Sequence, residues 1–544
     1  MSLFALYEPG LTLLAARFVP EEGRMRGFEA RLKGRAPWPG PFALLRAGGF
    51  SIPARLLTQD LNFAYNSPAV RLRDIRSVPS SPWVDGLNRE VAMQFEQETL
   101  GLLPAALQVL EAGFAALPEA GLRVPGQERM AHVMQEVASR LRDNYPYFHP
   151  LYAGQMLKPP HPIARAAYAL ATWINPNNHA LDGGRASSAM EKEAVAEIAA
   201  MFGWQAHLGH LTSGGTMANL EALWVAGQLH PGKKILASQQ AHYTHPRISG
   251  VLGLPFAEAP CDQRGRMDAQ ALAVMLPAGD IGCVVATVGT TGTGSLDPLP
   301  EILHLRTQYG FRLHVDAAYG GYFTLAGNLA EETRRAYDLI SQADSIVVDP
   351  HKHGLQPYGC GCVLFRDPSV GALYKHDSPY TYFTSSELHL GEISLECSRP
   401  GASAVALWAT QRLLPLVRGG EFATGLEACR EAAVRLAGQL AADSRWLVPF
   451  PPELDIVVWA PRAGSARLAS ELSQRIFKAA ADRGLHLALI RLPLRYFPSL
   501  AAGLPDDQET VLCLRSVLMK PEHREWVNPI LATLDVAWRE AVEK

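Results

Sequence analysis

Five short runs in the middle of this chain bring together residue types that do chemistry on small molecules. Thr212-Ser213-Gly214-Gly215-Thr216 leads into an apolar helical pattern. Small residues let backbone N–H groups approach an anion, and a helix N-terminus adds positive dipole. Alone, the run also serves as a Gly-rich turn with a threonine cap. Gln240-Ala241-His242 follows KKILAS and offers an imidazole to stack on a flat ring; Gly289-Thr290-Thr291 follows VVATV and offers hydroxyls. Asp316 stands in LHVDAAYGG, directly after an apolar run. An acid there is costly unless paired; a pyridinium N–H is one partner and the cap of a following turn another. Ala317 and Ala318 leave room for a flat ring. Asp349-Pro350-His351-Lys352-His353 follows SIVV. A lone lysine is ordinarily a solvated surface charge, but in a desolvated, electropositive pocket it loses its proton and attacks an aldehyde carbon.

These runs have to be held by ordered elements. Short apolar stretches (HLGHLTSGG, KKILAS, GCVVATVG, FRLHVDAA, SIVVDPHK, CGCVLFRD) alternate with helical patterns. That alternation predicts an α/β unit with a largely parallel sheet covered by helices. Ligands bind beyond the carboxyl ends of such strands, which is where all five runs fall. Helical spacing is also read over 88–116, 127–144 and about 163–174, with a Pro- and aromatic-rich break at 145–162. After about residue 402 the chain reads as long helices through Leu440, then short strands near 454–460 and 511–518. The expected organisation is a partly helical N-terminal segment at 1–150, a large domain at 151–415 and a smaller α+β domain at 416–544. A chain of 544 residues exceeds what one core usually supports.

With 48% hydrophobic and 19% charged residues, the chain reads as an ordinary globular protein, and a formal charge of −3 gives no basic field for nucleic acid. Seven irregularly spaced cysteines do not read as a secreted disulfide framework. Cys360-Gly361-Cys362 lacks the gap and the second pair of a zinc site, so no metal is expected. The N-terminus lacks a basic region before its apolar stretch, and no apolar run approaches the roughly 20 residues that span a bilayer. A cytoplasmic location without membrane partners is therefore the default expectation.

Together the runs supply a phosphate cradle, a carboxylate for a pyridine nitrogen and a Schiff-base lysine, the protein parts that pyridoxal 5′-phosphate requires. At this point TSGGTMANLEALW, SQQAHYTH, VATVGTTGTGSLDPL, LHVDAAYGGYF, DPHKHGLQPYGCGCVLF and SLECSRPGASAVALW are recognisable. The chain resembles the group II pyridoxal-phosphate-dependent amino acid decarboxylases, a fold-type-I family that includes glutamate, aromatic amino acid and bacterial tyrosine decarboxylases. The resemblance runs from about Asn175 to the C-terminus and does not reach residues 1 to about 140. NPNN at 175–178 and Pro357-Tyr358 are closest to the bacterial tyrosine decarboxylase branch.

The resemblance implies that Lys352 holds the cofactor, that Asp316 pairs with the pyridine nitrogen, and that His242 and Ala318 face the two sides of the ring. Ser213, Gly214, Gly215, Thr216 and His351 would hold the phosphate, with Thr291 near the ring hydroxyl. Arg515 matches an arginine that contacts substrate carboxylate in the glutamate enzymes and also occurs in aromatic ones. Ser398 and Arg399 match a segment that reaches the neighbouring subunit's site, with Ser398 toward the cofactor and Arg399 toward the substrate, which implies an obligate homodimer. Decarboxylation leaves a carbanion that needs a positioned acid; Tyr358 is the first candidate and Tyr382, on the segment 377–391, the second. The expected activity is release of carbon dioxide and a primary amine from an aromatic, tyrosine-like amino acid. An acidic amino acid, a carbon–carbon lyase or aldehyde synthase reaction on the same fold, and a non-catalytic cofactor-binding protein are the alternatives.

Overall fold

The computed structural model describes residues 7–8, 11–21, 24–34, 98–118, 121, 126–375, 393–501 and 508–543. The chain divides into two compact units, Met1–Asn88 and Arg89–Lys544. The described part of the first is a three-stranded antiparallel sheet of β1 (Tyr7–Glu8), β2 (Leu11–Glu21) and β3 (Arg24–Gly34). No element is expected from the sequence over residues 7–34, where its periodicity is weak. Bulges between Leu13 and Ala15 and between Phe18 and Pro20 interrupt the period of two by which strands are recognised. The expected helices do follow at Leu102–Ala112 and Gln127–Leu141.

The second unit is built on a seven-stranded sheet. Its strands are β4 (Leu208–Thr212), β5 (Lys234–Ser238), β6 (Phe256–Ala259), β7 (Ile281–Thr287), β8 (Arg312–Asp316), β9 (Ser345–Val348) and β10 (Gly361–Phe365). They lie in the order β4-β10-β9-β8-β7-β5-β6. Every pair is parallel except those of β10, which runs antiparallel to both β4 and β9. β7 is buried along its whole length, the mark of a central strand covered on both faces. Helices Arg185–Met201, Gly215–Leu229, Leu299–Tyr309 and Gly401–Leu413 are among those that cover the sheet.

Because the other six strands point the same way, Thr212, Ser238, Thr287, Asp316 and Val348 all end at one edge. The start of β10 arrives there too, with Gly361 opposite Thr212. After helix Glu421–Ala442 comes a four-stranded antiparallel sheet of β11 (Trp446–Leu447), β12 (Ile456–Pro461), β13 (Ala488–Pro493) and β14 (Thr510–Val517), in the order β11-β12-β14-β13. Trp459 of β12 is wholly buried among Leu436, Leu440, Ile476 and Leu534. The stretch before the large sheet is tied to this region: Lys520 Nζ donates to the carbonyl of Tyr152 at 2.7 Å and Lys158 Nζ to that of Met519 at 3.1 Å. No helix among the described residues is long and apolar enough to cross a membrane.

Candidate active site

A cavity of about 340 Å³ opens at the shared edge, within the usual range for small-molecule sites. Ser213, Gly214, Gly215, Thr216, His242, Thr291, Asp316, Ala318, His351 and Lys352 line it, so all five runs meet in one place. Thr287, Asn219, Thr244, Tyr319 and Asp349 complete much of its wall.

The glycines at its floor have steric reasons. Gly214 has φ of 152°, which L side chains rarely adopt. A Cβ on Gly215 would stand 2.6 Å from Asp349 Oδ2, and one on Gly361 2.5 Å from the backbone carbon of Gly214. The backbones of β10 and the cradle therefore pass in direct contact, at the N-terminus of helix Gly215–Leu229.

Asp316 is buried at the end of β8. Its Oδ2 lies 2.9 Å from His245 Nε2, and its Oδ1 accepts from the Ala318 N–H at 3.1 Å. Burial opposes the charge, but the bond from His245 and the nearby His245, His314 and Lys352 outweigh it, holding the carboxyl well below its usual range. His245 is not among the residues that the sequence motifs single out. The signal was present in SQQAHYTH, where a second histidine follows His242 by three residues and comes onto helix Thr244–Leu252.

Lys352 Nζ lies 3.0 Å from Asp349 Oδ2, and His351 Nε2 lies 3.6 Å from the same oxygen. Asp349 thus joins the site, a role the sequence reading did not give it. His351 is oriented by the Cys360 carbonyl, 2.8 Å from its Nδ1, and His242 by Thr244 Oγ1 at 2.8 Å. Burial lowers the pKa of both imidazoles, which keeps them neutral near pH 7. Glycine-flanked N–H groups at a helix start, a buried anionic carboxylate and a reachable lysine amine are the donor set that a phosphate, a pyridine nitrogen and an aldehyde call for, so the residues present fit pyridoxal 5′-phosphate.

Other expected residues lie elsewhere. Tyr358 is 56% exposed, stacks at 4.7 Å on His351 and donates its hydroxyl to the Met156 carbonyl at 2.8 Å. Burial of its ring edge pushes its pKa up to about 12. Tyr382 lies outside the described residues. Ser398 Oγ accepts from Asn177 Nδ2 at 3.1 Å and is not in the cavity wall. Arg399 is buried in an ion pair with Glu191 at 2.7 Å, and Glu191 also accepts from the N–H of Leu211 and from Asn178. Within this chain it braces β4 and is not among the residues of the wall. Arg515 is buried on β14, bonded to Gln155 Oε1 at 3.3 Å, likewise outside the wall.

The family model described as the pyridoxal-dependent decarboxylase conserved domain matches residues 127–461. A probable L-tyrosine/L-aspartate decarboxylase of Methanothermobacter thermautotrophicus is 30% identical over 331 residues, covering 59% of this chain and 86% of that protein. An L-tyrosine decarboxylase of Enterococcus faecium is 28% identical, covering 58% of this chain and 67% of its own. Among solved structures, Oryza sativa TDC with PLP and tryptamine superposes with a TM-score of 0.66 at 17% identity, covering 82% of this chain and 99% of the other. Mouse CSAD in apo form gives 0.65 at 20% identity, covering 80% and 92%. At these identities the two structures establish the fold.

The buried Arg399–Glu191 pair yields a prediction. Removing one partner leaves an uncompensated buried charge, so Arg399→Ala is expected to cost about 3–5 kcal/mol of stability. Urea unfolding followed by tryptophan fluorescence checks it. An unchanged midpoint combined with a raised KM would return Arg399 to substrate binding.

Proposed function

The chain belongs to the pyridoxal-dependent decarboxylase family and is an amino acid decarboxylase using pyridoxal 5′-phosphate; from that premise we propose that Lys352 carries the cofactor and that the substrate is an aromatic, tyrosine-like L-amino acid. The observation behind the substrate choice is the composition of the cavity wall. Among the described residues lining it there is no arginine, and its basic groups are Lys352 and neutral imidazoles. A second substrate carboxylate would be left without a partner there, at a cost in free energy. Relatives named for tyrosine agree; relatives named for aspartate, such as that of Thermococcus kodakarensis, motivate the second reading, with Arg515 as its cation.

Bound there, the cofactor supplies an aldehyde carbon for amine capture and a protonated pyridine ring that draws electrons from the α-carbon. The chain's residues then have separable tasks. Lys352 contributes a nucleophilic amine, and Asp349, 3.0 Å away, receives its proton or holds its charge. Asp316 keeps a proton on the ring nitrogen because His245 keeps Asp316 anionic. Ser213, Gly214, Gly215 and Thr216 present N–H and hydroxyl donors to a phosphate, helped by His351. His242 and Ala318 confine a flat ring between them, and Thr291 offers its hydroxyl. Loss of carbon dioxide leaves the α-carbon in need of a proton, and we assign that step to Tyr358 or to Tyr382.

We also infer an obligate homodimer, with Ser398 near the partner's site. Helices Leu102–Ala112 and Gln127–Leu141 contain no buried residue, and they expose Leu102 at 57%, Val109 at 77%, Met134 at 64% and Leu141 at 62%. An apolar surface of this kind favours association. Within each subunit we retain the reading of residues 151–415 as the cofactor domain and 416–544 as the smaller one; independent expression of the two pieces tests it.

Four experiments test these assignments. Borohydride reduction of the holoenzyme should bleach its visible band and label the peptide containing Lys352. In untreated holoenzyme, a decarboxylation screen across the protein amino acids should give its highest kcat/KM with tyrosine; a preference for aspartate selects the second reading. If Tyr358 is the acid, Tyr358→Phe should still release carbon dioxide but yield less amine and more aldehyde, with Tyr382→Phe near normal; the reverse pattern assigns Tyr382, and full amine yield from both removes tyrosine from this step. Light scattering should give twice the 59.2 kDa chain mass or a multiple of it, and an active monomer at assay concentration would contradict the dimer.

A further inference from the structure

The turn that carries Lys352 is not held by strand hydrogen bonds. β9 ends at Val348, and the chain then folds through Pro350–Gly354. Leu355 has φ of 64°, a left-handed conformation that is uncommon outside glycine and is maintained only where the surroundings impose it. At Gly354 an added Cβ would stand 2.5 Å from Pro350 Cα and 2.6 Å from Tyr322 Oη. Backbone bonds hold part of this turn, from the Lys352 N–H to the Asp349 carbonyl at 2.9 Å, from His351 to Cys360 at 3.1 Å and from Gln356 to Pro350 at 3.1 Å. Side-chain contacts add to them in setting the aim of Lys352.

One of those contacts comes from the four-stranded sheet. Asp455, wholly buried just before β12, accepts a hydrogen bond from Tyr319 Oη at 2.7 Å through Oδ1. Its Oδ2 lies 3.1 Å from His353 Nε2, a close polar contact without the alignment of a hydrogen bond, and burial lowers the pKa of that imidazole. Tyr319 follows Ala318 on the strand end that bears Asp316, and His353 follows Lys352. The Tyr319 and His353 rings meet edge to face at 4.9 Å, and Phe323 meets His353 at the same distance. Asp455 thus grips both turns from behind the cavity. Its own backbone is fixed by Leu518, whose N–H donates to the Asp455 carbonyl at 2.9 Å.

The surroundings keep Asp455 charged. Burial raises the cost of its charge, but the adjacent His353 imidazole and the hydrogen bond from Tyr319 hold its carboxyl below the usual range. The buried Arg515 and the half-buried Lys158 also lie in its field. A buried ion cluster is weak evidence for stability, since apolar replacements of similar volume are often neutral or better. A cluster that bonds to the neighbours of two reacting groups is suited to orienting them.

We propose that Asp455 is a positioning residue for the decarboxylation: through Tyr319 and His353 it sets the direction of Lys352 relative to Asp316. The proposal rests on the reading of Lys352 as the cofactor-bearing residue, and the experiment separates the two. Wild-type holoenzyme is first shown to carry a visible absorption band and to release carbon dioxide; failure there overturns the reading of Lys352 itself. Asp455→Asn keeps an oxygen for Tyr319 and removes the charge facing His353, while Tyr319→Phe and His353→Gln each remove one grip.

For Asp455→Asn we expect kcat to fall by about 10- to 100-fold, as small misalignments of reacting groups do, with KM within about threefold. The visible circular dichroism of the bound cofactor should change, because it reports the ring's orientation and not the stability of the fold. In combination, Tyr319→Phe or His353→Gln should cost much less on the Asp455→Asn background than on wild type, as expected for groups acting through one partner. A lowered melting temperature with unchanged cofactor circular dichroism and kcat would overturn the proposal, leaving Asp455 a structural residue. Where Asp455→Asn does not fold, the two single variants decide by the same readouts: unchanged spectra in both overturn it.

Discussion

A carboxylate inside a protein keeps its charge only when other groups make up for the water it has lost, and in this chain the chemistry depends on one that does. Asp316 sits at the end of a buried strand with His245 on one oxygen and the Ala318 N–H on the other. Burial opposes this charge and His245 is the first of the groups that offset it, and a neutral acid holds no proton on a pyridine nitrogen. The arrangement draws on three elements: β8 delivers the aspartate, the turn after it supplies the N–H, and helix Thr244–Leu252 brings the histidine. Each fixes the others, since a hydrogen bond between buried groups tolerates little displacement before both are left unsatisfied.

The same edge explains why the site is assembled from residues so far apart in the chain. Parallel strands deliver their carboxyl ends to one line, and the turns leaving them are free of ladder bonds, so they can present side chains. Close backbone approach between Gly214 and Gly361 then brings the cradle and the lysine-bearing segment within reach of one small molecule. Asp349 shows how tightly the parts share space. Its carboxylate touches Lys352 on one side and lies against Gly215 on the other, so that even a methyl group on that glycine would displace it.

Much of this was legible in the sequence, for a physical reason. Buried parallel strands read as unbroken apolar runs, and the polar or small residues that follow them stand out against that background. Lys352, Asp316, His242 and the Thr212–Thr216 run were visible in this way, and the cavity contains them. His245 and Asp349 were harder to read because their significance is pairwise: each matters through a partner brought to it only by folding. Asp455 is further hidden, lying 136 residues beyond Tyr319 in a strand lead that reads as ordinary core. Arg399 illustrates the opposite difficulty, since an arginine in a family motif looks like a ligand group, whereas in this chain its charge is already matched by Glu191. At the N-terminus, the bulges in β2 against β3 broke the alternation that would have announced a hairpin.

The antiparallel strand β10 has a consequence for the order in which the enzyme can become competent. It is the neighbour of β4 in the sheet, yet it is made long after it, once β5 to β9 have left the ribosome. Until then the edge of β4 and the floor beneath Gly214 have no partner, so the phosphate cradle is incomplete however well its own loop is formed. Long-range pairing of this kind is slow, and unpaired edges expose a growing chain to aggregation. The binding site therefore cannot close until the residues that follow Lys352 turn back and pair between β4 and β9. A nascent chain stalled before Gly361 carries the lysine and the aspartate but lacks the strand that brings them to the phosphate.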